Sequence, residues 1–254
     1  MEIADHLAAL DADGVQLAET AERVGLTASV PCCPGWQVRD LVRHQAYVHA
    51  WAARHVRDRL AEIINEATEA DVLGGGPPDA ELIPAYRAAH AALVRTLRTA
   101  DPDVVCATFM RGAPSPLAFW ARRQAHETAI HRYDAQSAGP DGPPDPATVF
   151  APAFAADGLD ELIMGFVPRN RRLRGGTWSL AIRPTDAPDR WNVRPGPDRT
   201  AVARSDAAAD CVLSGPVAGL YAFLWNRCPA RQAGIEVTGD DSVLATWNSI
   251  ARVT

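Results

Sequence analysis

Cysteine is the first shortage in this chain. It occurs five times, at Cys32, Cys33, Cys106, Cys211 and Cys228, an odd count with no Cys-x-x-Cys spacing. That pattern disfavours both a disulfide framework and a thiolate zinc site. Cys32 and Cys33 are neighbours, where a bridge would be strained, so reduced thiols in a cytoplasmic protein are expected. Long apolar runs are missing too, and no segment approaches the roughly 18 residues that span a membrane. The first residues, Met1-Glu-Ile-Ala-Asp5, are acidic where a signal peptide would be basic. Nor is there an excess of positive charge: 25 basic against 31 acidic residues leave a net charge of -6. Nucleic-acid binders carry a basic domain or stripe, and the cluster Arg169 to Arg174 is short, with neutral or acidic flanks. Neither a nucleic-acid nor a membrane partner is expected. No Gly-x-Gly-x-x-Gly, P-loop or Gly-x-Ser-x-Gly occurs, and Gly74-Gly-Gly76 runs into Pro77-Pro78 rather than a helix start with Lys. Dinucleotide and nucleotide chemistry are therefore set aside.

What the first half does have is helical periodicity. Ile3, Leu7, Leu10, Val15, Leu17, Ala18 and Ala21 mark a helix over about 2–25 that Gly25 closes. Val30-Pro-Cys-Cys-Pro-Gly-Trp36 is a turn, and a second helix begins near Trp36 or Gln37 with Val38, Leu41, Val42 and Val48 on one stripe. His44 falls among them. Residues 72 to 79 form a loop, a third helix spans about 80–100, and a fourth about 116–137 after Pro114-Ser-Pro116. Four such helices close a bundle whose facing side chains can build a metal site. Glycine and proline crowd 138–146 and mark a boundary, giving domains at 1–140 and 147–254. The second domain reads as α+β. It has a helix at 147–167, strands at 178–183, 190–194, 210–214 and 235–239, and helices at 216–227 and 242–250.

The chemistry centres on the fourth helix. Glu127 and His131 are four apart, so both side chains leave one helical face. They supply two of the three protein ligands that a catalytic zinc takes. Spacing alone does not name the third, and an ordinary solvated ladder of Arg123, Glu127 and His131 has the same pattern. His44 is the natural candidate, since a histidine on a core stripe needs a hydrogen bond or a metal. Asp40, one turn earlier, is either its core partner or a carboxylate that orients a ligating imidazole. His126 points about 100° from Glu127 and about 140° from His131, so it reads as a supporting or substrate-facing group. Asp134 shares the face of His131 and either orients it, binds substrate, or simply ends the helix. Arg227 either clamps a substrate carboxylate or favours a helix C-terminus. The seven tryptophans read as packing, and Cys106 and Cys228 as inert.

Two stretches carry a resemblance. Pro34-Gly-Trp-Gln-Val-Arg-Asp-Leu-Val-Arg-His44 resembles the Pro-Gly-Trp-x-Val-x-Asp-Leu-x-x-His signature of mycothiol-dependent maleylpyruvate isomerase-like proteins. His126-Glu-Thr-Ala-Ile-His-Arg-Tyr-Asp134 is similar to their second signature, His-Glu-x-x-x-His-Arg-x-Asp. Val212 to Asp241, with Leu224-Trp-Asn-Arg227 and Val237-Thr-Gly-Asp240, is similar to their C-terminal domain. The resemblance implies a DinB-like four-helix bundle followed by a small α+β C-terminal domain. It implies a divalent metal, usually zinc, on His44, Glu127 and His131, with Asp134 and Arg227 assisting. The cosubstrate would be mycothiol, a cysteine-bearing sugar thiol, and the partner a small electrophile. A free thiol has a pKa of about 8.5, and a metal makes it a bound thiolate at neutral pH. Attack on an activated alkene then gives S-transfer, or cis–trans isomerisation if the sulfur leaves again. Two other readings stand beside these: a hydrolase whose same ligands activate water, and a non-catalytic bundle that binds a ligand or partner. The sequence carries no signal for an oligomeric state.

Overall fold

A computed structural model describes residues 1–64, 76–110 and 112–250. It divides into two compact units, Met1–Pro143 and Pro144–Thr254. No helix among the described residues is long and apolar enough to cross a membrane.

The first unit is built on four long helices, α1 (Ile3–Val24), α2 (Val38–Arg57), α3 (Asp79–Thr99) and α4 (Pro116–Ser137). Their ends are set locally. Glu2 and Asp5 form a reciprocal capping box on α1, which stops at Gly25 with φ 92°. Gln37 and Asp40 do the same for α2. Ser115 Oγ accepts from Ala118 N at 3.1 Å to start α4, with Pro116 in the first turn. Between α1 and α2 the chain folds back on itself. Ser29 bridges Gln37, and Val30 N donates to Trp36 O at 2.9 Å. Gly35 supplies the positive φ of 87° that this turn needs. Leu17, Leu41, Leu82 and Tyr86 are fully buried in the core between the helices. Each such leucine contributes about 1.5–3 kcal/mol relative to exposure. α4 is buried on nearly every side, which explains why its own sequence shows so little apolar periodicity. Residues 72–75 of the loop expected at 72–79 lie outside the described residues.

The second unit departs from expectation in three places. Residues 147–167 are not one helix. A single turn, α5 (Pro146–Val149), is followed by extended backbone at Phe150 and Ala151, then α6 (Pro152–Asp160). Pro152 forces this break, because the residue before a proline is pushed out of the helical region. α6 then runs into a π-helical turn at Glu161–Phe166 and a short 3-10 turn at Val167–Arg169. The sheet contains β1 (Leu180–Pro184), β2 (Trp191–Arg194), β3 (Ala201–Arg204), β4 (Cys211–Gly215) and β5 (Glu236–Gly239), in the order β3-β2-β1-β4-β5. β3 was not expected. It is a largely exposed edge strand, so its residues lack an alternating apolar face. β1 pairs antiparallel with β2, setting Ile182 opposite Trp191, and parallel with β4, setting Leu180 opposite Cys211. α7 (Val217–Leu224) ends before the expected 227, because Asn226 turns left-handed at φ 61° and Arg227 N bonds back to Ala222 O at 2.8 Å. Asparagine tolerates that conformation better than most side chains. α8 (Ser242–Ile250) follows β5 as expected.

Candidate metal centre

α2 and α4 bring His44, Glu127 and His131 together. His44 Nε2 lies 3.4 Å, and His131 Nε2 3.2 Å, from the same oxygen, Oε1 of Glu127. The ligand atoms of all three residues fall within 4.8 Å of one another. Metal bonds of about 2.0–2.1 Å in a tetrahedron give edges of about 3.3–3.4 Å. Two measured separations match that edge, and two imidazoles with a carboxylate are a donor set that a catalytic zinc takes. These residues fit a divalent ion.

The surroundings hold the three groups in place. Asp134, fully buried, accepts from His131 Nδ1 at 2.9 Å. That bond keeps a proton on Nδ1 and leaves Nε2, which faces Glu127 Oε1, as the nitrogen that would ligate an ion. Arg123 Nη2 donates to Glu127 Oε2 at 3.0 Å. Burial alone would raise the pKa of Glu127. Hydrogen bonds from His131 and His44 and the charge of Arg123 outweigh it and hold the carboxyl well below its usual range. Burial likewise disfavours the charged form of His131, but hydrogen bonds to Asp134 and Glu127 reverse the sign and raise it. Trp36 sits edge-on to His44 at 5.4 Å between ring centroids and nearly parallel to His131 at 6.4 Å. It walls one side of the group. Cys33, in the same turn, lies with Sγ 3.5 Å from Asp134 Oδ2.

The structure bears on several alternatives left open by the sequence. Asp40 does not pair with His44: its Oδ2 accepts from Gln37 N at 2.9 Å as part of the α2 cap. His44 is not sunk in the core, since its side chain keeps 33% of its exposure. Arg123, at 3% exposure, belongs to no solvated ladder. His126 is fully buried, with its ring edge-on to that of His6 of α1 at 5.9 Å. Arg227 lies in the second unit, buried, with Nη1 donating to Trp225 O at 2.7 Å. Trp36, Cys33 and Arg123 were not singled out from the sequence as parts of a site. Arg123 had a signal, its i,i+4 spacing to Glu127, whereas Trp36 and Cys33 are placed by the fold-back of their turn.

Comparison with known proteins agrees with this architecture. Residues 7–136 match the family model of the mycothiol maleylpyruvate isomerase N-terminal domain, and residues 153–246 match that of the MDMPI C-terminal domain. Two crystal structures, of mycothiol-dependent maleylpyruvate isomerase and of a histidine-to-alanine variant of it, superpose with TM-scores of 0.65 and 0.67. Each superposition covers 94% of this chain and 93% of the other, at 14% and 13% identity respectively. A search of curated protein sequences found no match. At such identity the superposition speaks for the fold, while the two family models speak for membership. The chain therefore belongs to the mycothiol maleylpyruvate isomerase family of enzymes, with the N-terminal and C-terminal domains of that family in order.

Proposed function

We propose that this protein is a mycothiol-dependent metalloenzyme in which His44, Glu127 and His131 hold a divalent ion, zinc by donor type. The reaction is cis–trans isomerisation of a small activated alkene, or S-transfer to it where the sulfur does not leave. The observation that carries this reading is the convergence of two imidazole nitrogens on one carboxylate oxygen, at 3.4 and 3.2 Å. An ion held there would supply one thing, a lowered thiol pKa that keeps the cosubstrate as thiolate at neutral pH.

The chain's own residues do the rest. Asp134 holds the Nδ1 proton of His131, so that Nε2 would be the nitrogen that ligates an ion. Glu127 stays ionised under the influence of His131, His44 and Arg123. The Trp36 ring lies beside both histidines and would wall one side of the ion. The binding of an acidic substrate group by Arg227 rests on the family resemblance, and replacing Arg227 by Gln should raise KM for an acidic substrate.

The test is an assay of metal-loaded protein with mycothiol and maleylpyruvate or a model electrophile, following both free thiol and alkene geometry. Isomerisation leaves free thiol constant as cis becomes trans, whereas S-transfer consumes thiol in step with the electrophile. Turnover that needs no thiol would overturn the reading in favour of a hydrolase using the same three residues.

A further inference from the structure

Glu127 has two oxygens, and the structure gives them different partners. Oε1 faces His44 Nε2 at 3.4 Å and His131 Nε2 at 3.2 Å. Oε2 accepts from Arg123 Nη2 at 3.0 Å, one turn earlier on α4. Arg123 is 3% exposed. Taking a guanidinium out of water costs several kcal/mol unless it is paired, so its contact with Oε2 is not an incidental surface pair. A guanidinium also presents its N–H groups in a fixed planar fork, so it holds a carboxylate oxygen by direction as well as charge.

A carboxylate that binds an ion through both oxygens fills two coordination positions, and through one oxygen it fills one. Catalytic zinc sites work with three protein ligands and a position left for water or substrate. We propose that Arg123 is a positioning residue: by holding Oε2 it would leave Glu127 only Oε1 to offer an ion, and so would keep open the position that the cosubstrate sulfur would take. The inference rests on the metal reading of His44, Glu127 and His131. It assigns Arg123 no contact with substrate.

Cobalt(II) reports coordination number directly, because its visible absorption is strong in four-coordinate sites and weak in five- or six-coordinate ones. The experiment loads the full chain with cobalt, records the spectrum, and titrates a simple thiol such as 2-mercaptoethanol, for wild type and for Arg123→Met. Methionine keeps much of the apolar stem while removing the donors. In Arg123→Met the absorption should weaken and the thiol affinity fall about tenfold or more, in the range seen when groups supporting a ligand are removed. Arg123→Lys should restore part of both. Where Arg123→Met does not fold, Arg123→Gln takes its place in the same measurement. A folded variant with the wild-type spectrum and thiol affinity overturns the inference, as does a crystal structure of the cobalt-loaded wild type with both Glu127 oxygens on the ion. Wild type that takes up no cobalt overturns the underlying metal reading instead, so the two failures are distinguishable.

Discussion

At the scale of single residues, the site depends on partners that fix the ligands rather than on the ligands alone. Asp134 is the clearest case: it is fully buried and accepts from His131 Nδ1 at 2.9 Å. Asp134→Asn keeps the shape and removes the charge, so metal affinity should fall about 10–100-fold, measured by competition with a chromogenic chelator, while far-UV circular dichroism stays unchanged. Unaltered affinity would reduce Asp134 to a helix-end carboxylate. The roles of individual residues were legible in proportion to how local they are. The spacing of Glu127 and His131 on one helical face could be read from the sequence, and so could the place of His44 on α2. The partner of His44 stayed open between Asp40 and the Glu127–His131 pair, because Asp40 is near in sequence while Glu127 is 83 residues away. Asp40 is drawn instead to the free N–H of Gln37 at the helix start, a demand that any helix makes. Burial of Arg123 was invisible for the same reason, since neighbours three and four apart say nothing about what covers them.

At the scale of elements, α1 and α3 approach closely where Gly14 faces His90. A β-carbon on Gly14 would run into the His90 imidazole. That ring is buried and tied to Leu10 O at 3.1 Å, so it has little room to move. Gly14→Ala should therefore destabilise the protein by about 1–3 kcal/mol, although alanine is the better helix former by about 1 kcal/mol. A rise in melting temperature would contradict the account. The core beside this contact is polar. His49 is fully buried, its Nε2 sharing a hydrogen bond with Thr128 Oγ1 at 2.9 Å, and its ring stands 5.5 Å from His90. Burial lowers the pKa of both histidines, helped at His49 by the charge of His90 and opposed at His90 by its bond to Leu10. The folded chain favours the neutral form of each, whereas the unfolded chain takes up protons near pH 6.5. Their stabilising effect is thus whole above about pH 6.5 and is lost on acidification, at up to about 1.4 kcal/mol per pH unit for each. Urea unfolding between pH 7 and pH 5 should therefore show stability falling more steeply on acidification, or rising less, in wild type than in His49→Gln. The raised pKa values of Asp13 and His131 act in the opposite direction in both proteins. The four long helices were legible because their periodicity and caps are local. The break at Pro152 was legible in principle from the proline itself. The edge strand β3 was not, because exposed residues leave no pattern.

At the scale of the whole molecule, the residues assigned to the ion all belong to the first unit, Met1–Pro143. A fragment of residues 1–143 should then retain about one ion per chain, with affinity near that of the full protein. A fragment that folds but binds none would mean that the trio is not sufficient. The parallel pairing of β1 with β4 inside an otherwise antiparallel sheet could not be read from the sequence, because strand order depends on contacts between distant segments. The central claim is that His44, Glu127 and His131 form a metal centre. The measurement that tests it most directly is metal content per chain after metal-replete expression, for wild type beside a His44→Ala, Glu127→Ala double variant. The account predicts about one zinc-like ion per wild-type chain and none in the variant. A metal-free wild type, or a variant that keeps its ion, would contradict it.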